Sequence, residues 1–502
     1  MKSNNTLSLK IKELFSADLR SLAILRIGIS VLVIFDIIFR FSDLAAFYSD
    51  EGVLPRSIHI DQYDSWYASL YMINGLPLFQ VILFLLTIFF AMLLLIGYRT
   101  RIMTIILWFL MVSLHARNPM ILTGGDTLLH LILFWGIFLP LGTCYSVDSL
   151  LNPKNQQSSQ YILSLGTFAL FMQIVFVYLF TAICKISPEW LSDGSAIYYA
   201  LHIDQYVTHV GLFIRQFPQL MKLLTRLVYG FEILGPVLLF TPIFTGPVRT
   251  LTIAGFFCLQ LGFGSCLSVG IFPFSTSVAM LAFLPSWFWD RVLPPFLSVK
   301  SVASFFEALR SYFTNFVRKT SLFKQNSQSS TLNTSWFCNV LVVSFFIITL
   351  MWNVQSVGDS KFQMPEWIKR VSYLAGIEQG WIMFGPKFLK EDFWYVYPGT
   401  LKNGQRVDLF KGGGRVNWEK PKPLLSTMYK NHRWRTYIRN VWVSGNKFYP
   451  FYGQYLCRSW NKKHKNNKSL ASIEFYYVRE NTLPDNKVEK PVIGLMYKHV
   501  CY

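Results

Sequence analysis

A lysine at the end of a long apolar run is the residue best placed to do chemistry in this sequence. Lys185 follows the hydrophobic stretch 161–184 and precedes Trp190 and the dipeptide Asp193-Gly194. A charged amine is costly to keep at the edge of hydrocarbon, so such a lysine can act as a base near neutral pH. The alternative is that its side chain extends to the lipid headgroups, as lysines at helix ends usually do.

Four other charged residues lie within or beside apolar runs: Arg26, Asp36, Asp126 and Glu232. An isolated charge in hydrocarbon costs several kcal/mol, so each of them predicts a partner. Arg26 and Asp36 are separated by about 15 Å along one helix, which predicts partners on other helices. Structural ion pairs and proton-transferring groups both fit this pattern. No His, Cys or Asp spacing is typical of a metal site, and none is predicted.

The composition indicates the elements that must hold these side chains. Hydrophobic residues make up 52% of the chain and charged residues only 15%, whereas soluble domains carry about 25% charge. The sequence therefore predicts a polytopic α-helical membrane protein. The net charge of +20 has no nucleic-acid motif beside it, so it favours contact with the lipid bilayer and excludes nucleic acid as the expected partner.

Nine runs are long and apolar enough to predict transmembrane helices. They lie near 22–41, 77–97, 102–117, 127–144, 161–184, 224–244, 250–269, 272–289 and 336–354. Basic residues before the first run, between the second and third, and before the ninth fall on one side of this arrangement. The positive-inside rule then places the N-terminus in the cytoplasm and the chain after the ninth run outside.

The predicted domains follow from these runs. Residues 1–21 form an amphipathic cytoplasmic start, and residues 22–290 form the helical bundle. Residues 291–335 form a basic cytoplasmic linker that leads to a last helix at 336–355. Residues 356–502 lack long apolar runs and predict a small extracytoplasmic α+β domain. In that domain, 393–397 and 406–410 predict a hairpin, 472–478 and 492–497 predict strands, and 434–460 predicts helix.

Two of the seven cysteines, Cys457 and Cys501, fall in the predicted outer domain. Two cysteines in an oxidising compartment tend to pair. The sequence therefore predicts a disulfide between them, which would close a loop of about 45 residues.

Several motifs in order resemble one known family. They are Leu25-Arg26-Ile27-Gly28, Phe47 to Arg56, Gly97-Tyr98-Arg99, Arg117-Asn118-Pro119 with Gly124 to Leu129, and Phe231 to Pro236. Together they resemble the HTTM family, the horizontally transferred transmembrane domain, whose best-known member is the vitamin K-dependent gamma-carboxylase. The segments Trp381 to Pro386 and Arg433 to Asn440 resemble the tails of bacterial members, so a bacterial inner membrane is the expected location.

The resemblance implies a function for the polar residues. Lys185, followed by Trp190, matches the carboxylase lysine that deprotonates a vitamin K-like hydroquinone. Asp126 and Glu232 are predicted to lie near Lys185 and to share its catalytic site. The predicted binding residues are Arg26, Asp36, Arg117, Asn118, Trp190 and Gln260. The carboxylase carries histidines near the positions of Asp126 and Gln260, so glutamate carboxylation itself does not follow.

Two functions stay open from the sequence. One is a gamma-carboxylase-like membrane enzyme that uses a reduced quinone, with Lys185 as base, to modify a peptide or small substrate. The other is a non-catalytic accessory protein for the maturation or export of a secreted toxic peptide. A secreted peptide or protein is a partner in either case.

Overall fold

The computed structural model describes residues 10–151, 160–297, 311, 335–358, 360–385, 390–422, 424–483 and 489–501. A helix occupies each of the nine predicted runs. These helices are α1 Leu19–Phe41, α2 Pro77–Ile96, α3 Thr100–Arg117, α4 Gly124–Gly136, α5 Leu165–Cys184, α6 Pro218–Leu238, α7 Thr245–Cys266, α8 Phe272–Met280 and α9 Trp336–Ser356.

Among the described residues, five helices are long and apolar enough to cross a membrane: α1, α2, α3, α5 and α9. Helices α4 and α8 are shorter than the runs that predicted them. Helices α6 and α7 are long but less apolar, since α6 carries Lys222, Arg226 and Glu232 and α7 carries Arg249. The protein is thus a helical membrane protein, and the count of nine spans stays a prediction.

Local sequence explains where the helices near the polar residues begin and end. Pro77 starts α2, and Gly97 ends it in the left-handed conformation, with φ of 76°, which glycine adopts at little cost. Thr123 and Asp126 form a capping box at the start of α4. Ser164 and Thr167 form another at the start of α5, so each helix has its first N–H groups satisfied.

Short helices connect the long ones. They are Leu44–Tyr48, Arg56–Gln62, Val147–Leu151, Pro188–Leu191, Ala196–Leu201, His209–Ile214 and Leu293–Leu297. A two-residue strand pair joins Ala17–Asp18 to Tyr161–Ile162 ahead of α1 and α5. The predicted linker 291–335 lies largely outside the described residues, and the predicted domain limits stay predictions.

The C-terminal segment combines three helices with a five-stranded antiparallel sheet. The helices are α10 Glu366–Ala375, α11 His432–Val443 and α12 Tyr449–Lys463, and the strands are β1 Glu391–Val396, β2 Pro398–Leu401, β3 Arg406–Asp408, β4 Leu470–Asn481 and β5 Val492–Val500. The long strand β4 pairs with β1, β2 and β5.

One predicted strand pairing is wrong. The turn at Asn403-Gly404 exists, but it joins β3 to β2, not to the strand at 393–397. The latter strand, β1, pairs with β4 instead. Only Tyr397 separates the end of β1 from the start of β2. The short strand β2 therefore lies across the turn from β3 and pairs with it. The predicted strands at 472–478 and 492–497 and the helical region 434–460 match β4, β5, α11 and α12.

The disulfide between Cys457 and Cys501 is confirmed, with a Cα–Cα distance of 5.7 Å. Cys457 lies in α12, and Cys501 directly follows β5. The bond fastens the last strand of the sheet to the helix that packs on it.

Candidate functional site

Lys185 and Glu232 form a buried pair at the end of α5. Lys185 directly follows Cys184 and is the C-cap residue of α5, and Glu232 lies in α6. The Lys185 Nζ donates to the two carboxylate oxygens of Glu232 at 2.7 and 2.6 Å. Lys185 is 1% exposed and Glu232 is 2% exposed. The amine therefore does not extend to the headgroups.

Trp190 and the chain around Phe384 cover this pair. The Lys185 Nζ lies 4.4 Å from the centre of the Trp190 ring, a distance at which an ammonium is attracted to the ring face. The Trp190 indole N–H donates to the Phe384 carbonyl at 2.9 Å. A Cβ on Gly385 would meet the Cys184 carbonyl oxygen at 2.5 Å. Glycine thus lets the chain pass directly over the end of α5.

A second cluster contains two arginines and two aspartates. Arg40 Nε donates to Asp36 at 2.7 Å, and its Nη2 donates to Asp126 at 2.6 Å. Arg433, in α11, donates to the same two aspartates at 2.5 and 2.9 Å. The second oxygen of Asp126 accepts from the backbone and the hydroxyl of Thr123, both at 2.8 Å. We call these four charged residues the arginine–aspartate network.

Polar side chains surround this network. Arg40 also donates to the Tyr48 hydroxyl at 2.5 Å. His115 Nε2 lies 3.8 Å from Asp126, and His115 Nδ1 lies 2.9 Å from His130 Nδ1. The network is electrically balanced, and each of its carboxylate oxygens accepts a hydrogen bond, so it can hold a bundle together without exchanging protons with a ligand.

The structure places the predicted catalytic residues in two clusters. Glu232 lies beside Lys185, as expected, whereas Asp126 belongs to the arginine–aspartate network and bonds Arg40 and Arg433. Trp381 connects the two regions. Its carbonyl accepts from Thr181 in α5 at 3.2 Å, and its ring would lie 3.6 Å from a Cβ on Gly124.

The predicted binding residues mostly contact the protein itself. Arg26 donates to the Tyr145 carbonyl at 2.5 Å, Arg117 to the Ser49 carbonyl at 3.4 Å, and Asn118 to the Phe47 carbonyl at 3.0 Å. The Gln260 amide donates to the Tyr178 hydroxyl at 3.0 Å.

The expectation that every partner would come from another helix is wrong for Asp36. Arg40 pairs with it from the same helix, four residues on. Ten residues separate Arg26 from Asp36, but a spacing of four brings side chains together on one helix face.

Sequence reasoning missed Arg40 and Arg433. Arg40 could have been identified from the sequence, because it follows Asp36 by four residues on the same helix. Arg433 begins the motif that resembles bacterial family members, but nothing local indicates that its side chain enters the bundle. His115 and His130 pair with each other beside Asp126.

A third cluster lies between the bundle and the C-terminal sheet. The Lys420 Nζ is 2.6 Å from Asp204 and 2.7 Å from Asp392, and it also contacts Glu480. Burial raises the pKa of Asp392 to about 7, against the opposing effect of the Lys420 ammonium. Two groups within the described residues, Asp36 with His115 and Asp126, and Asp204 with Asp392 and Glu480, are close enough to hold a metal ion. In both groups, lysine or arginine nitrogens already pair with the carboxylates.

The apolar helices and the charges buried among them define an integral membrane protein. The model of the HTTM domain matches residues 16–287, more than half of the chain, and the protein belongs to the HTTM family. The match contains Lys185, Glu232 and three members of the network, but not Arg433. Comparisons with curated proteins and with solved structures found no match.

Proposed function

We propose that this protein is a membrane enzyme in which Lys185 removes a proton from a reduced, vitamin K-like quinone, so that a peptide or small substrate can be modified. The observation that supports it is the burial of the Lys185 amine against both oxygens of Glu232. A purely structural ion pair at this position would contribute little net stability. Ionisable residues inside membrane proteins are commonly functional.

The pair contains the groups needed for base catalysis. Lys185 accepts a proton only as a neutral amine, and it is neutral when Glu232 holds the proton that the two share. Both carboxylate oxygens lie within 2.7 Å of Nζ, so the proton can move between the partners without a side-chain rearrangement. A neutral Lys185 amine would accept the proton of a quinol hydroxyl, and the Trp190 ring would stabilise the ammonium that forms.

A hydrophobic quinol would supply reducing electrons, and apolar pockets between helices suit such a ligand. Trp190 and Tyr229, with ring centres 6.0 Å apart, provide aromatic surface beside Lys185. Gln260 is the predicted binding residue that fits best, because it donates to Tyr178 in α5, the helix that Lys185 follows. Its side-chain oxygen is also buried without a hydrogen-bond partner among the described residues. In this proposal, Arg26, Asp36, Arg117, Asn118 and Asp126 hold the bundle that positions the site.

The test compares two conservative lysine variants. Purified protein in lipid nanodiscs with a reduced menaquinone would be followed by quinol absorbance in air, with empty discs as background. Lys185→Arg should lose nearly all protein-dependent quinol consumption, because arginine stays protonated at any accessible pH. Lys390→Arg is the matched control, because Lys390 also pairs with a glutamate, Glu189, but is 53% exposed.

Equal rates for wild type and Lys185→Arg would exclude the base. That result would favour the accessory role in maturation or export of a secreted peptide, since Glu232 and Lys185 would then only join α5 to α6.

We also propose the full topology: nine spans in a bacterial inner membrane, a cytoplasmic N-terminus and an extracytoplasmic C-terminal segment. Lys10 is exposed near the start of the chain, and Lys402 is exposed in the C-terminal segment. Cysteines introduced at these positions should react with an impermeant maleimide from opposite sides of intact cells, relative to the labelling of the wild type. Reaction of both from the same side would disprove this topology.

A further inference from the structure

A cavity of about 600 Å³ opens at the end of the bundle where the described chain begins. It lies between residues 12–18, the start of α7 and the residues that follow α8. Its lining includes Lys12, Glu13, Arg249 and Trp287. The cavity is separate from the Lys185 pair, and its interpretation does not depend on the proposed function.

The Arg249 guanidinium is a buried positive charge. Arg249 is 2% exposed, and it donates to the carbonyls of Leu239 at 2.8 Å and Leu14 at 2.7 Å. These carbonyls satisfy hydrogen bonds but do not neutralise the charge. No carboxylate among the described residues forms an ion pair with Arg249. A buried cation of this kind favours an anion in the adjoining space.

The start of α7 adds to the same positive potential. This helix has 22 residues, and Thr245, Gly246 and Pro247 in its first turn line the cavity. First-turn N–H groups have no acceptor within their own helix. Those of Thr245 and Gly246 can therefore donate to a ligand, and the helix dipole favours an anionic one.

The acidic residues of the lining do not cancel this potential. Asp18 is bound by Arg20 at 2.8 Å, so its charge is already neutralised. The Glu13 carboxylate acts on Arg249 through its charge, but it forms no ion pair with Arg249 and is exposed to solvent, as is Lys12 next to it. The buried part of the cavity, at Arg249 and the start of α7, is therefore positive.

The rim of the cavity is apolar. Phe244 is 78% exposed and Trp287 is 37% exposed, and both line the opening. Tryptophan is typical of the level at which lipid headgroups meet hydrocarbon. A ligand that fits both the positive interior and the apolar rim has an anionic head and an apolar tail.

We propose that this cavity binds a phosphate group, carried by the headgroup of an anionic phospholipid, between Arg249, Lys12 and the start of α7. Arginine pairs strongly with phosphate oxygens, and basic pockets in membrane proteins bind anionic headgroups in this way. The acyl chains would extend past Phe244 and Trp287.

The experiment uses the full-length protein, freed of lipid in a neutral detergent. Binding would be measured by native mass spectrometry and by the temperature of thermal unfolding. The three probes are a short-chain phosphatidylglycerol, a phosphatidylcholine of the same chain length, and inorganic phosphate. We expect one tightly bound phosphatidylglycerol and a rise of several degrees in the unfolding temperature.

Variants decide whether the cavity is responsible. Lys12→Gln should weaken phosphatidylglycerol binding about fivefold, the effect of roughly 1 kcal/mol per lysine near an anionic surface. Lys10→Gln is the matched control, since Lys10 is exposed on the same segment but does not line the cavity. Arg249→Gln should abolish binding of phosphatidylglycerol. If Arg249→Gln does not fold, the comparison of Lys12→Gln with Lys10→Gln still decides whether the cavity binds the lipid.

The probes also distinguish the sources of the phosphate. Inorganic phosphate that stabilises the protein with the same dependence on Lys12 would identify a free phosphate as the ligand. Phosphatidylglycerol binding without a phosphate effect would identify the lipid. The proposal is overturned if neither probe binds, if phosphatidylcholine binds equally well, or if Lys12→Gln and Lys10→Gln bind phosphatidylglycerol equally.

Discussion

The two buried charge clusters of the bundle differ in how completely they are satisfied. The Lys185–Glu232 pair has one cation and one anion, and both residues lie within the matched HTTM domain. The arginine–aspartate network has two of each, bonds to Thr123 and Tyr48 as well, and takes Arg433 from outside that domain.

This difference separates two uses of charge inside a membrane protein. The cations of the network are arginines, which stay protonated at any accessible pH, so they can fix geometry but cannot accept protons. The cation of the other cluster is a lysine, and in the proposed function this lysine is the base. The Arg433 and Glu232 variants test this contrast, and the disulfide and Asp392 variants compare the C-terminal segment with the bundle. The expected effects run from the largest to the smallest.

Removing Arg433 should have the largest effect. Arg433→Met leaves Asp36 and Asp126 with Arg40 alone, and breaking a buried ion network in this way costs about 3–5 kcal/mol. Thermal unfolding in detergent should show this loss. The double variant Arg433→Met with Asp36→Asn restores the charge balance and should recover more than half of it.

Arg439→Met is the control for this experiment, because Arg439 lies in the same helix and is exposed. If Arg433→Met cost no more than this control, the network would not hold α11 to the bundle.

Removing the disulfide should have a similar or slightly smaller effect, confined to the C-terminal segment. The bond closes a loop of 44 residues, which corresponds to at most about 4 kcal/mol in the chain-entropy model. The variant Cys457→Ser with Cys501→Ser should expose the sheet to limited proteolysis and leave α1–α5 protected. Cys144→Ser, a free cysteine, should change nothing. Equal protease resistance of the double variant and wild type would contradict this prediction.

Removing Glu232 should break the Lys185 pair. Glu232→Gln leaves the buried Lys185 amine without its counter-charge, and breaking a buried ion pair in this way costs about 3 kcal/mol. Thermal unfolding in detergent should show this loss, and the double variant Lys185→Met with Glu232→Gln should recover more than half of it.

Glu189→Gln is the matched control, because Glu189 pairs with the half-exposed Lys390 and an exposed pair contributes less than about 1 kcal/mol. Equal losses for the two glutamate variants would contradict this prediction.

The Lys420 cluster should give the smallest effect. Burial raises the pKa of Asp392 from 3.8 to about 7 in the folded protein. The folded state therefore holds an extra proton between these values, and the contribution of Asp392 to stability should fall as the pH rises from about 4 to 7. Asp392→Asn should remove this contribution, which corresponds to at least about 1 kcal/mol, the value of one pKa unit.

Glu419→Gln, at an exposed position next to Lys420, should leave that slope unchanged. The same dependence of the unfolding temperature on pH in wild type and in Asp392→Asn, between pH 4 and pH 7, would refute the role of Asp392.

The features that could be predicted from the sequence are those with a local signal. Apolar runs place the helices, and the position of Lys185 at the end of such a run singled it out. Two cysteines in a polar segment were enough to predict their bond. The spacing of Arg40 from Asp36 was also available as a local signal.

The features that could not be predicted depend on distant pairings. Arg433 and Asp36 are 397 residues apart, and no periodicity links them. The pairing of β1 with β4 likewise depends on a strand about 80 residues away, whereas the turn at Gly404 favoured a pairing with a near neighbour. The resemblance to the HTTM family assigned Asp126 to the Lys185 site, but two arginines determine where its side chain lies.

The long separation within the network has a consequence for synthesis of the protein. Asp126 leaves the ribosome 307 residues before Arg433, which takes roughly 15–60 s at ~5–20 residues/s. During that interval the growing chain holds the two aspartates and one arginine of the network, so the network carries an excess negative charge. Synthesis of Arg433 completes the charge balance. A truncated or stalled chain keeps a carboxylate of the network without its cation, so the bundle reaches its full stability only after the C-terminal segment has been made.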